Sequence, residues 1–219
     1  MIVKGNSGII FRKVNEVQVP MKKIILASKS PRRNELLTLA GLEHEVIPSD
    51  CDEDISANAP EDLVMQLSDL KCSDVADKIM KGEVVPGSAS DNGYFVVGAD
   101  TIVDYDGQIL GKPRDEEDAF RILSMLSGNT HTVYTGVTVT DTETGRKETF
   151  YEQTTVRFIN ADEADLWAYI KTGDPLDKAG SYGVQGLGAF LVEGICGDYF
   201  NVVGLPLSRL IKVLKSFDC

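Results

Sequence analysis

The sequence is poor in histidine and in paired cysteine, and these shortages argue against a zinc centre. It has two histidines and four cysteines (Cys51, Cys72, Cys196 and Cys219), which are scattered without a C-x-x-C pair. Free thiols in a reducing compartment are the simplest interpretation of that pattern. No apolar run approaches the ~20 residues that a membrane-spanning helix needs. The N-terminal residues also lack the apolar core of a signal peptide, so we expect a cytoplasmic protein.

Positive charge is also scarce. The chain carries 22 Lys and Arg against 34 Asp and Glu, a formal net charge of −12. Proteins that bind duplex DNA or a membrane surface need a basic face, and this balance argues against both activities. Single-stranded nucleic acid is disfavoured as well, because basic residues and aromatics are not interleaved. A small anionic ligand that is held by a few local cations remains compatible with the composition.

The order of apolar and polar segments predicts a mixed fold with a central sheet, either α/β or α+β. We interpret residues 1–20 as an N-terminal extension, in which residues 9–11 could add an edge strand, and residues 21–219 as a single domain. Strands are predicted at residues 23–27, 45–47, 94–99, 132–140, 148–158, 190–192 and 199–203. Helices are predicted after Ser30, from Pro60 (with Leu63, Leu67 and Leu70 as its apolar stripe), from Asp115, from an Asn160 cap to Gly173, and after Pro206.

The segment Ser30-Pro31-Arg32-Arg33 begins a predicted helix with two cations in its first turn. Cations oppose the helix dipole there, whereas a bound anion would compensate them. Phosphate binding is therefore one interpretation. The alternative is a solvated turn whose arginines pair with Asp50 or Asp52.

Asp100 follows an apolar strand, where open sheets usually form crevices. It could hold a metal ion or act as a general base, or it could simply end the strand in a turn. An acidic loop at Asp50–Asp54 could supply oxygens to Mg²⁺ or could be solvated. Lys71 lies at the edge of an apolar helical stripe, where a lysine that extends its ammonium into water is the simpler interpretation. Lys112 could point into a cleft or into solvent.

Several separated segments together resemble the Maf-like nucleotide pyrophosphatases, which are related in fold to the inosine triphosphate pyrophosphatases. The matching segments run in order from about Lys23 to the C-terminus; they are LASKSPRR (26–33), GADT (98–101), GKP (111–113), LSG (126–128), YTG (134–136), PLDKAG (175–180), YGVQG (182–186) and NVVGLPL (201–207). The resemblance implies a central mixed sheet with flanking helices and a cleft between two lobes. It also implies hydrolysis of a nucleoside triphosphate to the monophosphate and pyrophosphate.

The same resemblance assigns roles to individual residues. Asp100 would activate water, and Glu53 would help it to hold a divalent cation, with Mg²⁺ as the default and Mn²⁺ or Co²⁺ as alternatives. The triphosphate would be gathered by the hydroxyl of Ser28 or Ser30 together with the cationic side chains of Arg33, Lys71 and Lys112. The analogy also suggests a homodimer.

Three residues indicate a subfamily. The branch that prefers dTTP and UTP has the residues found here as Arg32, Thr101 and Gln185, whereas the branch that prefers 7-methyl-GTP has tryptophan, glutamine and glutamate. Gln185 offers a donor and an acceptor to a uracil or thymine edge. Arg32 would repel a cationic methylated purine. The resemblance therefore implies a dTTP/UTP pyrophosphatase. A 7-methyl-GTP enzyme and a non-catalytic, nucleotide-binding regulator of cell division are the alternatives.

Overall fold

The computed structural model of the protein describes residues 22–57 and 59–217. The predicted N-terminal extension at residues 1–20, including its strand at residues 9–11, lies outside the described residues and stays a prediction. Within the described ranges, Cys51, Cys72 and Cys196 are free thiols. None of the helices in this part of the chain combines the length and the apolar character needed to cross a bilayer.

The described chain alternates strands and helices. The strands are β1 (Lys23–Leu26), β2 (His44–Val46), β3 (Tyr94–Tyr105), β4 (Gln108–Leu110), β5 (Thr130–Asp141), β6 (Lys147–Phe158) and β7 (Val192–Cys196). The α-helices are α1 (Pro31–Leu39), α2 (Pro60–Met80), α3 (Glu116–Leu126), α4 (Glu163–Ile170), α5 (Tyr199–Val203) and α6 (Leu207–Ser216). Short 3-10 turns at Asp174–Asp177, Ala179–Ser181 and Gly186–Leu191 connect α4 to β7.

The strands form one mixed sheet in the order β2-β1-β3-β5-β6-β7, with β4 added to β3. Strand β1 is parallel to both of its neighbours, while the pairs from β3 to β7 are antiparallel. The predicted fold class, a central mixed sheet with flanking helices, is confirmed.

Strand β3 extends beyond the end of its parallel neighbour β1, and this difference in length creates a crevice. The β1–β3 pairing ends at Leu26 opposite Val97, whereas β3 continues to Tyr105 against β5. The prediction that Asp100 ends a strand is therefore wrong, because Asp100 is paired with Gly136 within the antiparallel pairing of β3 with β5. It still lies just beyond the carboxyl end of β1, where β3 has lost its neighbour on that side.

Helix α2 packs unusually close to the sheet. A Cβ atom at Gly136 would lie 2.1 Å from the Val64 carbonyl oxygen, and one at Gly98 would lie 2.4 Å from that of Ser68. The buried face of α2 differs from the predicted stripe: Leu67 is buried as expected, but Leu63 and Leu70 are only partly buried. The face instead contains smaller side chains, namely Val64, Ser68, Cys72, Val75 and Ala76. Small residues on both surfaces allow the helix backbone to approach the strands.

Two local predictions in the last third of the chain are wrong. Residues 199–203 form helix α5 and not a strand, because Asp198 caps Phe200 N and the buried Asn201 amide donates to Val133 O and Thr154 Oγ1. The predicted strand at residues 190–192 begins only at Val192, after a 3-10 turn.

Asn160 does not cap α4, since Asp162 precedes its first residue. The Ala161 N–H donates to Ser127 Oγ and that of Ile159 to Leu191 O, which ties the preceding segment to its neighbours before the helix begins.

Candidate active site

A cleft of about 540 Å³ opens where β1 ends. One wall is formed by residues 27–33, between β1 and α1, and the opposite wall by residues 177–185. The acidic loop, Lys71 of α2 and the middle of β3 close its floor. All ten site residues predicted from the sequence line this cleft; they are Ser28, Ser30, Arg32, Arg33, Glu53, Lys71, Asp100, Thr101, Lys112 and Gln185.

Lys71 joins the two candidate carboxylates. Its Nζ lies 2.6 Å from Asp100 Oδ1 and 2.9 Å from Glu53 Oε2. The Lys71 side chain is only 12% exposed and that of Asp100 only 15%. The interpretation of Lys71 as a lysine that reaches into bulk water is therefore wrong. The close approach of α2 to the sheet puts this ammonium against Asp100.

The two carboxylates are suited to a metal cation whose other oxygen ligands come from a bound polyphosphate. Glu53 and Asp100 already converge on one positive charge, the Lys71 ammonium. Within residues 22–57 and 59–217, no group of three or more His, Cys, Asp or Glu side chains could enclose a metal ion. Mg²⁺ is commonly held by one or two carboxylates together with phosphate oxygens of the substrate. The residues present therefore fit a divalent cation bound jointly with a polyphosphate.

The rest of the acidic loop is turned to solvent or paired elsewhere. Asp52 and Asp54 are exposed, and Asp50 pairs with Lys29 at 3.2 Å. The alternative in which Asp50 or Asp52 would neutralise the arginines of α1 is thus wrong. Those arginines have different partners.

Arg33 is buried and clamps three segments of the site. Its guanidinium donates to the Gly204 carbonyl at 2.8 Å, to Ser28 Oγ at 3.0 Å and to Thr101 Oγ1 at 3.0 Å. Burial lowers the pKa of the Arg33 guanidinium, and the negative charges of Asp100 and Glu53 oppose that change. With these three hydrogen bonds the Arg33 guanidinium joins the start of α1 to β3 and to Gly204 after α5, and it adds positive potential to the cleft.

The Ser28 hydroxyl can donate a hydrogen bond to a ligand in the cleft. Its Oγ accepts from Arg33 Nη1 at 3.0 Å and from the Ser30 N–H at 3.2 Å. With its acceptor positions used, the hydroxyl proton is available to an anion. Ser30 occupies the N-cap position of α1 without a side-chain cap, and Pro31 begins the helix. The N–H groups of the first turn have no acceptor within the helix, as is usual at a helix N-terminus, and are available to an anion at the same place.

The hydroxyl of Thr101 belongs to a directed chain of hydrogen bonds. Thr135 Oγ1 donates to the Asn201 carbonyl at 3.0 Å and lies 2.9 Å from Thr101 Oγ1. The Thr135 hydroxyl has one proton, which it donates to the Asn201 carbonyl. In the contact between the two threonines, Thr101 must therefore be the donor, and Thr101 accepts from Arg33. The side chain of Thr101 therefore has no proton left for a ligand.

The remaining candidates come from three different segments that line the cleft. Arg32 Nη1 lies 3.3 Å from Asp177 Oδ2 across the cleft. Lys112 and Gln185 are exposed at the cleft, and neither side chain has a hydrogen bond or ion pair to any described residue. Sequence reasoning gave no role to Lys178, which lines the cleft and pairs with Asp174 and Asp177. The only sequence feature that pointed to Lys178 was its place in residues 175–180, one of the segments that carry the family resemblance.

Comparison with known proteins identifies the family of the chain. The sequence profile of the family described as Maf-like protein matches residues 23–217. A protein of Bacillus cereus strain G9842 named dTTP/UTP pyrophosphatase is 48% identical over 199 residues, which cover 90% of this chain and 97% of the relative. Proteins of Bacillus thuringiensis and Bacillus cytotoxicus with the same name are 49% and 50% identical, with the same coverage.

Proposed function

The chain belongs to the Maf-like protein family, and on that premise we propose that it is an enzyme that hydrolyses dTTP and UTP to the nucleoside monophosphate and pyrophosphate. The observation that carries this proposal is the convergence of Glu53 and Asp100 on Lys71, beside the anion-binding start of α1. A protein that only bound nucleotide would not need two carboxylates where a polyanion has to enter.

The carboxylates of Glu53 and Asp100 would hold a divalent cation together with the triphosphate. Mg²⁺ is the default for triphosphates, and Mn²⁺ and Co²⁺ are the alternatives. Such an ion, when bound, neutralises phosphate charge and polarises the phosphoryl group.

The chain's own residues then bind, orient and move a proton. Asp100 Oδ1 is committed to Lys71, while Oδ2 accepts no hydrogen bond from any described residue and is the proposed acceptor for a proton of the attacking water. Lys71 and Lys112 would neutralise phosphate oxygens. Ser28, Ser30 and the N–H groups of α1 would hold the phosphates, and Arg33 would keep Ser28 in place. Catalysis of this kind rests mainly on position and on charge stabilisation.

Arg32, Thr101 and Gln185 are the proposed determinants of base choice. The Gln185 amide offers one donor and one acceptor edge, which complement the carbonyl and N–H of uracil or thymine. Arg32 disfavours a cationic methylated purine. Because the Thr101 hydroxyl is fully engaged, we infer that Thr101 acts by holding Arg33 and the strand rather than by contacting the base.

We also propose that residues 21–219 act as one catalytic domain in the cytoplasm, as a homodimer and without a nucleic acid partner. Light scattering of the purified chain tests the dimer directly.

The reaction is tested by hydrolysis of dTTP with Mg²⁺ in ¹⁸O-labelled water. We expect dTMP and pyrophosphate in equal amounts, with the label in dTMP if water attacks the α-phosphorus. Formation of dTDP and orthophosphate would exclude the proposed reaction.

A further inference from the structure

A chain of polar contacts connects the two walls of the cleft. We propose that Tyr169, Asp174, Asp177 and Lys178 form a frame that sets the spacing between Arg32 and Gln185, and that Asp177 and Tyr169 are positioning residues for base selectivity. This inference rests on the proposed function, since it concerns how that function chooses its substrate. None of the four frame residues was assigned a role in the reaction.

The first end of the frame holds Arg32. Asp177 accepts from Arg32 Nη1 through Oδ2 at 3.3 Å, and its other oxygen, Oδ1, lies 2.7 Å from Lys178 Nζ. Asp177 thus joins a residue of α1 to the wall that carries Gln185. Burial raises the pKa of Asp177, but Lys178 and Arg32 together outweigh it and lower that pKa, so the carboxylate stays ionised at neutral pH. Without it, the long Arg32 side chain would sample many rotamers at the mouth of the cleft.

The middle of the frame is Lys178, whose side chain is only 12% exposed. Its ammonium contacts the carboxylate of Asp174 at 3.1 Å and also the Asp174 carbonyl. Its stem passes against the loop that carries Gln185, because a Cβ atom at Gly183 would lie 2.9 Å from Lys178 Cε. The lysine is therefore both an ion-pair partner and a packing surface for the loop.

The second end of the frame holds the Gln185 loop. The Tyr169 hydroxyl donates to Asp174 Oδ2 at 2.8 Å and accepts the Gly183 N–H at 3.2 Å. A Cβ atom at Gly188 would lie 2.5 Å from the same hydroxyl oxygen. Burial and the neighbouring Asp174 carboxylate raise the pKa of Tyr169, so the phenol stays protonated as a donor. One hydroxyl thus contacts the loop on both sides of Gln185.

The frame is separate from the groups that face the phosphates. No hydrogen bond or ion pair joins any of its four residues to Glu53, Lys71 or Asp100 within the described chain. Loosening it should therefore change which base is accepted and how well it binds, and should leave the chemical step largely intact.

The experiment compares Asp177→Asn and Tyr169→Phe with the wild-type protein, and uses Asp77→Asn, which breaks an exposed pair on α2, as the matched control. We expect either frame variant to lower the kcat/KM ratio of dTTP to CTP by about tenfold, mostly through KM. The kcat for dTTP should stay within about twofold of wild type. Asp177→Glu should recover part of the ratio, and the double variant should lose less than the product of the two single losses.

Calorimetric binding of the non-hydrolysable α,β-imido analogues of dTTP and CTP keeps this test independent of turnover. If the wild-type protein binds both analogues but hydrolyses neither nucleotide, the proposed function fails while the change in binding ratio still tests the frame. The frame proposal is overturned if the correctly folded variants keep the wild-type ratio in hydrolysis and in binding. It is equally overturned if they lose kcat for every nucleotide with an unchanged ranking.

Discussion

The Lys71 ammonium lies 2.6 Å from Oδ1 of Asp100, and the same nitrogen lies 2.9 Å from Glu53. One cation thus pairs with two carboxylates in the cleft that is proposed to receive a triphosphate, and the three groups keep one net negative charge. Lys71 offsets part of the repulsion that a polyanion would meet in a chain with a net charge of −12, and a divalent cation would offset the rest. The arrangement also makes the role of each partner separately testable.

Asp100→Asn should remove turnover while nucleotide binding persists. The amide keeps the shape of the side chain but cannot take a proton from water, and loss of a general base typically costs about 100- to 10,000-fold in rate. Asp106→Asn, in the exposed turn after β3, is the matched control and should keep wild-type activity. Pyrophosphate release and calorimetric titration of nucleotide measure the two quantities. An active Asp100→Asn enzyme would refute the assignment.

Lys71→Met should increase the affinity of the nucleotide-free protein for Mn²⁺. Removing the ammonium leaves Glu53 and Asp100 without their shared cation, so a divalent ion no longer competes with it; the gain should be on the order of tenfold. Turnover should fall in the same variant. Lys81→Met breaks an exposed pair with Asp77 and should change neither quantity. Paramagnetic resonance of free Mn²⁺ reports the affinity, and weaker binding by Lys71→Met would contradict the proposed cation site.

Arg32→Trp combined with Gln185→Glu should change the ranking of substrates. An aromatic ring can stack on a cationic methylated purine, and a carboxylate accepts hydrogen bonds from a guanine edge. We expect the kcat/KM ratio of 7-methyl-GTP to dTTP to rise by about tenfold or more. Competition assays with both nucleotides measure this ratio. An unchanged ranking in the folded double variant would mean that these positions do not select the base.

Gly136→Ala should destabilise the fold and reduce turnover together. The added Cβ would lie 2.1 Å from the Val64 carbonyl oxygen, so α2, which carries Lys71, would have to move away from the sheet. Overpacking of this kind costs about 3 kcal/mol in the free energy of unfolding. Gly194→Ala is the control, because its Cβ would meet only Arg157 Nη2 at 3.7 Å. Urea unfolding compares the two variants, and equal stabilities would contradict the close contact.

The buried His131 should make stability depend on pH. It is 2% exposed, and burial lowers its pKa from 6.5 to about 4. The unfolded chain binds the proton more readily, so stability is fully present above pH 6.5 and is lost as pH falls towards 4. The loss from this residue should be about 3 kcal/mol. Urea unfolding at pH 7 and 4.5 should show a smaller loss for His131→Gln than for wild type. His44→Gln, at a less buried position, should lose as much stability between pH 7 and pH 4.5 as the wild-type protein does.

Local signals predicted much of the architecture. Pro60 begins α2, and the Asp115 side chain caps α3 as the sequence indicates. These signals act within a few residues and survive in the folded protein. The sequence predicts a strand at residues 199–203, but Asp198 and the buried Asn201 stabilise a helix there through contacts that include distant strands. Tertiary contacts of this kind are not visible in a local pattern.

The sequence identifies the residues of the site but not the contacts between them. Spacing along α2 favoured a solvated Lys71, since nothing near it in sequence reveals that Gly98 and Gly136 let the helix approach Asp100. The sequence likewise does not reveal the role of Thr135 or the frame around Tyr169, because the partners of these residues come from separate segments. Resemblance to a family supplied the residues, and only the fold supplies their contacts.

The central claim is tested most directly by pyrophosphate release with Mg²⁺ from dTTP, UTP, CTP, ATP, GTP and 7-methyl-GTP, with wild type and Asp100→Asn assayed side by side. The account predicts that wild type turns over dTTP and UTP faster than the other four and that Asp100→Asn is nearly silent on all six. Absence of pyrophosphate from every nucleotide, with nucleotide still bound, would contradict the account and favour a regulatory protein.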